Sequence, residues 1–164
     1  MIEVGKEKLT ESSRIRFEPQ LPYLYLPRDY YRDFTKAIKK LFSDTELYGH
    51  DEICNTATNT CKFNVSCDKL IKKKIQFGFR IYDSARDLYL YIDTTKDMYL
   101  SGEHFGTHND QCYIPVFDHK KTAADDLDRV YIGNMFLKKY YLVFDMSPLE
   151  TDKEYIHVGI GLRN

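Results

Sequence analysis

Hydrophobic and polar positions alternate along most of this chain, and in one stretch they do not. Ile2-Glu3-Val4 and Ile15-Arg16-Phe17 alternate as half-buried strands do, with Gly5 as a turn between them. Ile75, Phe77, Phe79 and Ile81 alternate with Gln76, Gly78 and Arg80. Asp83-Ser84-Ala85-Arg86-Asp87 reads as a turn, and Leu88, Leu90 and Ile92 then alternate with Tyr89 and Tyr91. Together these predict a hairpin. Tyr113–Phe117 predicts a further strand, at a sheet edge because Pro115 cannot donate to a ladder. Val130–Gly133 is apolar, and Tyr141–Asp145 and Ile156–Ile160 predict two closing strands. The exception is residues 28 to 43. Tyr30, Tyr31, Phe34, Ala37, Ile38, Leu41 and Phe42 recur there at three- and four-residue steps, with Lys36, Lys39 and Lys40 on the opposite face. That spacing predicts one long amphipathic helix, with Asp29 in its first turn where an acid suits the helix dipole. A short helix is predicted over 134–140. Three prolines in Glu18–Pro27 exclude a helix before residue 28. Loops are predicted over 101–111 and 118–129. The pattern holds no repeat.

Composition supports the strands and narrows the function. The 164 residues include 14 Tyr and 10 Phe but no Trp, and Tyr and Phe favour strands. A chain of this length buries roughly 70% of its unfolded surface, enough for a real core. With 24 basic and 25 acidic residues the net charge is −1, which argues against a polybasic nucleic-acid binder. No apolar run is long enough to span a bilayer. The N-terminal residues lack an apolar segment and carry acids, so they read as neither a secretory signal nor a transit peptide.

Cys54, Cys61, Cys67 and Cys112 contain no CxxC pair, so neither a zinc ribbon nor a thioredoxin-type site is expected. Four cysteines allow three pairings. Cys54 and Cys61 enclose a polar, turn-forming loop, and Cys54–Cys61 with Cys67–Cys112 is the preferred arrangement; four reduced thiols is the alternative. Disulfides imply an oxidising compartment, either the secretory pathway or an organellar intermembrane space. Asn64-Val65-Ser66 is a glycosylation sequon, a tripeptide that is frequent by chance.

The segment Ile132-Gly133-Asn134-Met135-Phe136-Leu137-Lys138-Lys139-Tyr140-Tyr141-Leu142-Val143-Phe144-Asp145 resembles the C-terminal lobe of pepsin-like (A1) aspartic proteases. That family has apolar-apolar-Gly, a short helix of type D-x-F-L/I-R/K-x-Y-Y, and then x-V-F-D. His157-Val158-Gly159-Ile160-Gly161 is similar to the family's last strand. Tyr23-Leu24-Tyr25-Leu26-Pro27 with its following helix resembles the stretch after the second catalytic motif, and Ile2-x-Val4-Gly5 the strand entering that region. Cys67 and Cys112 flank a hairpin as the C-lobe disulfide does in the family. The resemblance runs from Ile2 to Gly161, with insertions around 44–62 and 118–128. It implies a mainly β fold, a single pepsin-like lobe over residues 1–164 with one long and one short helix. The chain then corresponds to about half of a two-lobed enzyme, and it is expected to expose a face that a second lobe covers.

Counting back from Pro27, the family's Asp-Thr-Gly falls on Glu18-Pro19-Gln20, and the Thr-Ser that follows falls on Leu21-Pro22. The chemistry uses two coplanar Asp carboxylates, one from each lobe, sharing a proton. Glu18 is a methylene longer than Asp, Pro19 removes a backbone donor, Gln20 fills the space of the Gly, and no Thr or Ser hydroxyl remains. The resemblance therefore implies no catalytic residue, and a pseudoenzyme serving as a structural or protein-interaction subunit of a larger assembly. Alternatives are a peptide-binding module that keeps part of the substrate cleft, and a homodimeric peptidase with two facing Glu18 carboxylates.

Other candidates are weaker. His104 and His108 beside Glu103 have H-x-x-x-H spacing, but Gly102 and Gly106 make a loop, not a zinc-binding helix face. Asp125, Asp126 and Asp128 lack the spacing of a calcium loop. No metal, cofactor, nucleic acid or inserted membrane segment is expected. No phosphate-binding loop, dinucleotide fingerprint or nucleophile elbow is present. Tyr23/Tyr25, Tyr89/Tyr91 and Tyr140/Tyr141 fit sheet packing, and an outward-facing pair fits an interface with other protein subunits.

Overall fold

A computed structural model describes residues 2–4, 7–10, 14–42, 54–55, 60–72, 77–83, 88–93, 99–101, 103, 106, 110–119, 129–137, 140–145 and 157–162. Strands dominate. In chain order they are β1 (Ile2–Val4), β2 (Glu7–Thr10), β3 (Arg14–Phe17), β4 (Leu24–Leu26), β5 (Cys54–Asn55), β6 (Thr60–Phe63), β7 (Phe77–Asp83) and β8 (Leu88–Asp93), followed by β9 (Leu100–Ser101), β10 (Cys112–Ile114), β11 (Val116–Asp118), β12 (Arg129–Ile132), β13 (Tyr140–Asp145) and β14 (His157–Leu162). The helices are α1 (Arg28–Phe42), α2 (Cys67–Lys72) and α3 (Asn134–Leu137). Among the described residues, no helix is long and apolar enough to cross a membrane.

Among the described residues the strands form four sheets, in the orders β2-β1-β7-β8, β5-β6-β10-β9, β11-β4-β12-β3 and β13-β14. The hairpin expected around residues 75–92 is β7–β8, which pairs from Gly78↔Asp93 to Asp83↔Leu88. Its turn, residues 84–87, lies outside the described residues, as do Gly5 and the stretch 120–128.

The long helix follows its apolar spacing. Tyr31, Phe34, Thr35, Ala37, Ile38 and Phe42 are its buried positions, and they join Leu24, Leu26, Phe63, Val116 and Val130 in one hydrophobic core. Phe42 meets Phe63 with ring centroids 4.6 Å apart. Thr35, the one polar member, donates its hydroxyl to the Arg32 carbonyl at 2.8 Å, so its burial leaves no lost hydrogen bond. The opposite face carries exposed Asp29–Arg32 and Asp33–Lys36 pairs one turn apart. Pairs this exposed contribute a few tenths of a kcal/mol each.

Two elements depart from the sequence pattern. Tyr113–Phe117 is not one edge strand. Cys112–Ile114 pairs with β6 and β9 in one sheet, and Val116–Asp118 pairs with β4 in another. Pro115 sits at the crossing, where its missing N–H ends one ladder and its carbonyl accepts from Leu24 N at 3.3 Å. The second departure is α2, one turn and a half of helix where the sequence pattern predicts none. Ser66 precedes it with its carbonyl accepting from Lys69 N at 3.1 Å, and Leu70 is its buried residue. A helix this short has too few turns to show a period.

Both disulfides form as preferred. Cys54–Cys61 joins directly opposed residues of β5 and β6. Cys67–Cys112 ties the start of α2 to β10 across 45 residues of chain. Among the described residues no cysteine is free. Two disulfides suggest an oxidising compartment.

Candidate functional site

The sheet β11-β4-β12-β3 has an interleaved order that builds the site. β3 and β4 are successive strands, yet β12 lies between them, parallel to β3 (Arg14↔Arg129 to Phe17↔Ile132) and antiparallel to β4. The chain leaving β3 must therefore cross over the end of β12 to reach β4. Glu18 to Tyr23 make that crossing.

The crossing is held almost wholly by backbone groups. Glu18 N donates to the Ile132 carbonyl at 2.9 Å, and Leu21 N donates back to the Glu18 carbonyl at 3.0 Å. The latter closes a four-residue turn over Glu18-Pro19-Gln20-Leu21. Pro19 stands at its second position, where a fixed φ suits such turns. The carbonyls of Tyr23, Leu21 and Pro22 then accept from Gly133 N (2.9 Å), Asn134 N (2.7 Å) and Met135 N (3.1 Å). These are the N–H groups entering α3 that lack partners within the helix. Loop and helix start thus satisfy each other. Gly133 makes the approach possible: a Cβ there would lie 2.2 Å from the Tyr23 carbonyl oxygen and 2.4 Å from that of Leu21.

The Glu18 side chain is one-quarter exposed, and its Oε2 is 3.2 Å from Nε of Arg16. Arg16 was not singled out from sequence. Its i, i+2 relation to Glu18 at a strand end, with opposite charges on one face, was the available signal.

A second polar group lies at the far end of β11. Asp118, its carboxylate largely buried, accepts from Arg28 Nε at 3.3 Å at the start of α1. The Tyr31 hydroxyl is buried with no hydrogen-bond partner among the described residues. Burial, and then the Asp118 charge, push its pKa up to about 12. Burial and neighbouring Tyr23 raise that of Tyr25. Tyr23 and Tyr25 both pack on Phe117, with centroids 5.2 and 5.7 Å away.

Glu103 is exposed, while His104, His108, Asp125, Asp126 and Asp128 lie outside the described residues. The backbones of Tyr89 and Tyr91 belong to β8. Tyr140 packs against the core, whereas Tyr141 is 49% exposed.

Residues 22–152 match the family model for eukaryotic aspartyl proteases. The chain belongs to that family. No curated protein matches it. The match takes in β4, α1, β12, α3 and β13, and the strand-rich architecture is that of a pepsin-like lobe. It begins at Pro22, just past the turn at Glu18–Leu21, so the family model itself says nothing of Glu18, Pro19 or Gln20.

Proposed function

We propose that this aspartyl protease-like lobe, residues 1–164, is catalytically inactive and serves as a structural or protein-interaction subunit of a larger assembly. The observation that carries the reading is the crossing at Glu18. Where the aspartic protease chemistry wants an Asp carboxylate facing a second carboxylate, the chain has Glu18 engaged with Arg16. The turn behind it is closed on Pro19. No Ser or Thr occurs from Glu18 to Tyr23 to orient a carboxylate.

An interaction role is supported at the other end of the matched region. Tyr141 and Val143 are 49 and 52% exposed on one face of the β13–β14 ribbon, and exposed Tyr beside aliphatic side chains is common at protein interfaces.

The test pairs two measurements on the full chain. Incubation with a broad peptide library from pH 3 to 7 should give no cleavage above that of Glu18→Gln. Acid peptidase activity that Glu18→Gln and a pepstatin-type inhibitor both abolish would overturn the inactive reading. Purification from its own cells should recover the chain in a complex of defined stoichiometry. A monodisperse monomer with no co-purifying protein would overturn the subunit reading. Saturable binding of extended peptides without cleavage would put a peptide-binding module in its place.

A further inference from the structure

Asn64-Val65-Ser66 is the only Asn-X-Ser/Thr tripeptide with X other than Pro in the 164 residues. Its position in the fold changes its weight. Asn64 directly follows β6, whose last residue, Phe63, is 1% exposed in the core. The chain bends at Asn64 and Val65, and Cys67 then opens α2, bonded to Cys112. The sequon is thus anchored on both sides, by a core phenylalanine and by a disulfide. Between these anchors Val65 packs against the core, while Asn64 is exposed. Its side chain makes a long contact, 3.5 Å from Gln111 Nε2 to Asn64 Oδ1, between exposed groups. A substituent on the Asn64 amide nitrogen displaces nothing from the core. The two disulfides place folding where thiols are oxidised, and the lumen of the secretory pathway is both such a place and the one where Asn-X-Ser/Thr is an acceptor.

From these three observations together, sequon, exposure and disulfides, we propose that Asn64 is an N-glycosylation site. The donor is an oligosaccharide carried on a lipid pyrophosphate. The Asn64 Nδ2–C1 glycosidic bond forms as the C1–O bond to pyrophosphate breaks. The amide gives up one proton and the lipid pyrophosphate leaves, with no change of oxidation state. The glycan then projects from the β6–α2 bend into solvent. The inference does not depend on whether the lobe is inactive.

The test is expression of the full chain in eukaryotic cells behind a cleavable secretory leader. Intact mass should exceed that of the polypeptide by one glycan, and peptide-N-glycosidase should remove it and leave Asp at position 64. Asn64→Gln and Ser66→Ala should each abolish the shift, and Ser66→Thr, which preserves the sequon, should keep it. Thiol labelling of every variant shows whether both disulfides have formed, separating a lost acceptor from a failed fold. Secreted, fully disulfide-bonded protein with an unmodified Asn64 would overturn the proposal.

Discussion

Tyr31 and Tyr141 are the same residue type on two elements of one chain, one 3% exposed and the other 49%. Tyr31 lies on α1, which packs its apolar stripe against β1, β2, β4 and β11. Tyr141 lies on β13, whose neighbours are β14 and the short α3. One face of that ribbon packs inward through Tyr140 and Ile160. On its other face Tyr141 and Val143 stand opposite Gly161 and Gly159. The Tyr141 ring lies over Gly161, so close that a Cβ there would be 2.3 Å from the ring. The glycines leave a low apolar surface with two side chains standing on it. The lesson is that burial follows the number of layers an element is offered, not its residue types. The packed region spends its aromatics on stability, and the ribbon keeps its aromatics available.

Four sets of substitutions test this contrast, beginning with the largest expected effect. Cys67→Ser removes the tie between α2 and β10. By the loop-entropy relation a closure of 45 residues is worth about 4 kcal/mol, against about 2.4 kcal/mol for the seven-residue Cys54–Cys61 closure. Urea denaturation should rank Cys67→Ser and Cys54→Ser in that order. Equal losses would mean that local packing, not chain connectivity, sets their value.

Gly133→Ala comes next. Its Cβ would collide with backbone carbonyls that cannot turn aside, so it should destabilise by about 3 kcal/mol or more. Gly159→Ala on the ribbon meets Val143 at an ordinary 3.5 Å and should change stability by no more than about 0.5 kcal/mol. Thermal melts of the pair measure the contrast directly, and a similar shift for both would break it.

Tyr31→Phe acts through pH. The Tyr31 hydroxyl has its pKa raised from 10 to about 12 in the fold. Between those values the native state keeps a proton that the unfolded chain releases. Stability from this group is therefore complete below pH 10 and is lost as pH rises through about 12, by at most about 2.7 kcal/mol. Tyr31→Phe should flatten that alkaline decline. At neutral pH it should leave stability unchanged or slightly higher, because the hydroxyl it removes is buried without a partner among the described residues. Denaturant midpoints from pH 8 to 12 check both statements.

The smallest expected effect on stability is that of Val143→Ser with Tyr141→Ser, within about 0.5 kcal/mol for each residue. The same pair should weaken binding of a co-purifying partner at least about tenfold, read by titration calorimetry. Undiminished binding would move the interface away from the ribbon.

Much of this architecture was legible beforehand. The three- and four-residue steps of Tyr31, Phe34, Ile38 and Phe42 located α1 to within a residue of its ends, because a helix that long repeats its period several times. The alternation of Phe77 to Ile92 located the β7–β8 hairpin for the same reason. The preferred pairing of Cys54 with Cys61 and of Cys67 with Cys112 also holds. Pro115 predicts an edge strand, and β11, which directly follows it, does lie at the edge of its sheet; the same proline also marks the crossing between two sheets, because its missing N–H is equally harmless at either place. The six residues of α2 carried no period to read.

At the candidate site the division is sharper. Local sequence alone determined which chemical groups stand at the crossing: a Glu, a Pro, a Gln, and no Ser or Thr from Glu18 to Tyr23. It also set the secondary structure on either side, because periodicity and proline act over a few residues. That β12 lies between β3 and β4, that Gly133 passes beneath the Leu21 and Tyr23 carbonyls, and that Arg16 reaches Glu18 were decided by tertiary structure. The first two relations join residues more than a hundred positions apart, and no local pattern encodes them until the whole sheet has closed. The third has a local signal in the i, i+2 spacing of opposite charges, and the fold only sets the direction of the side chains.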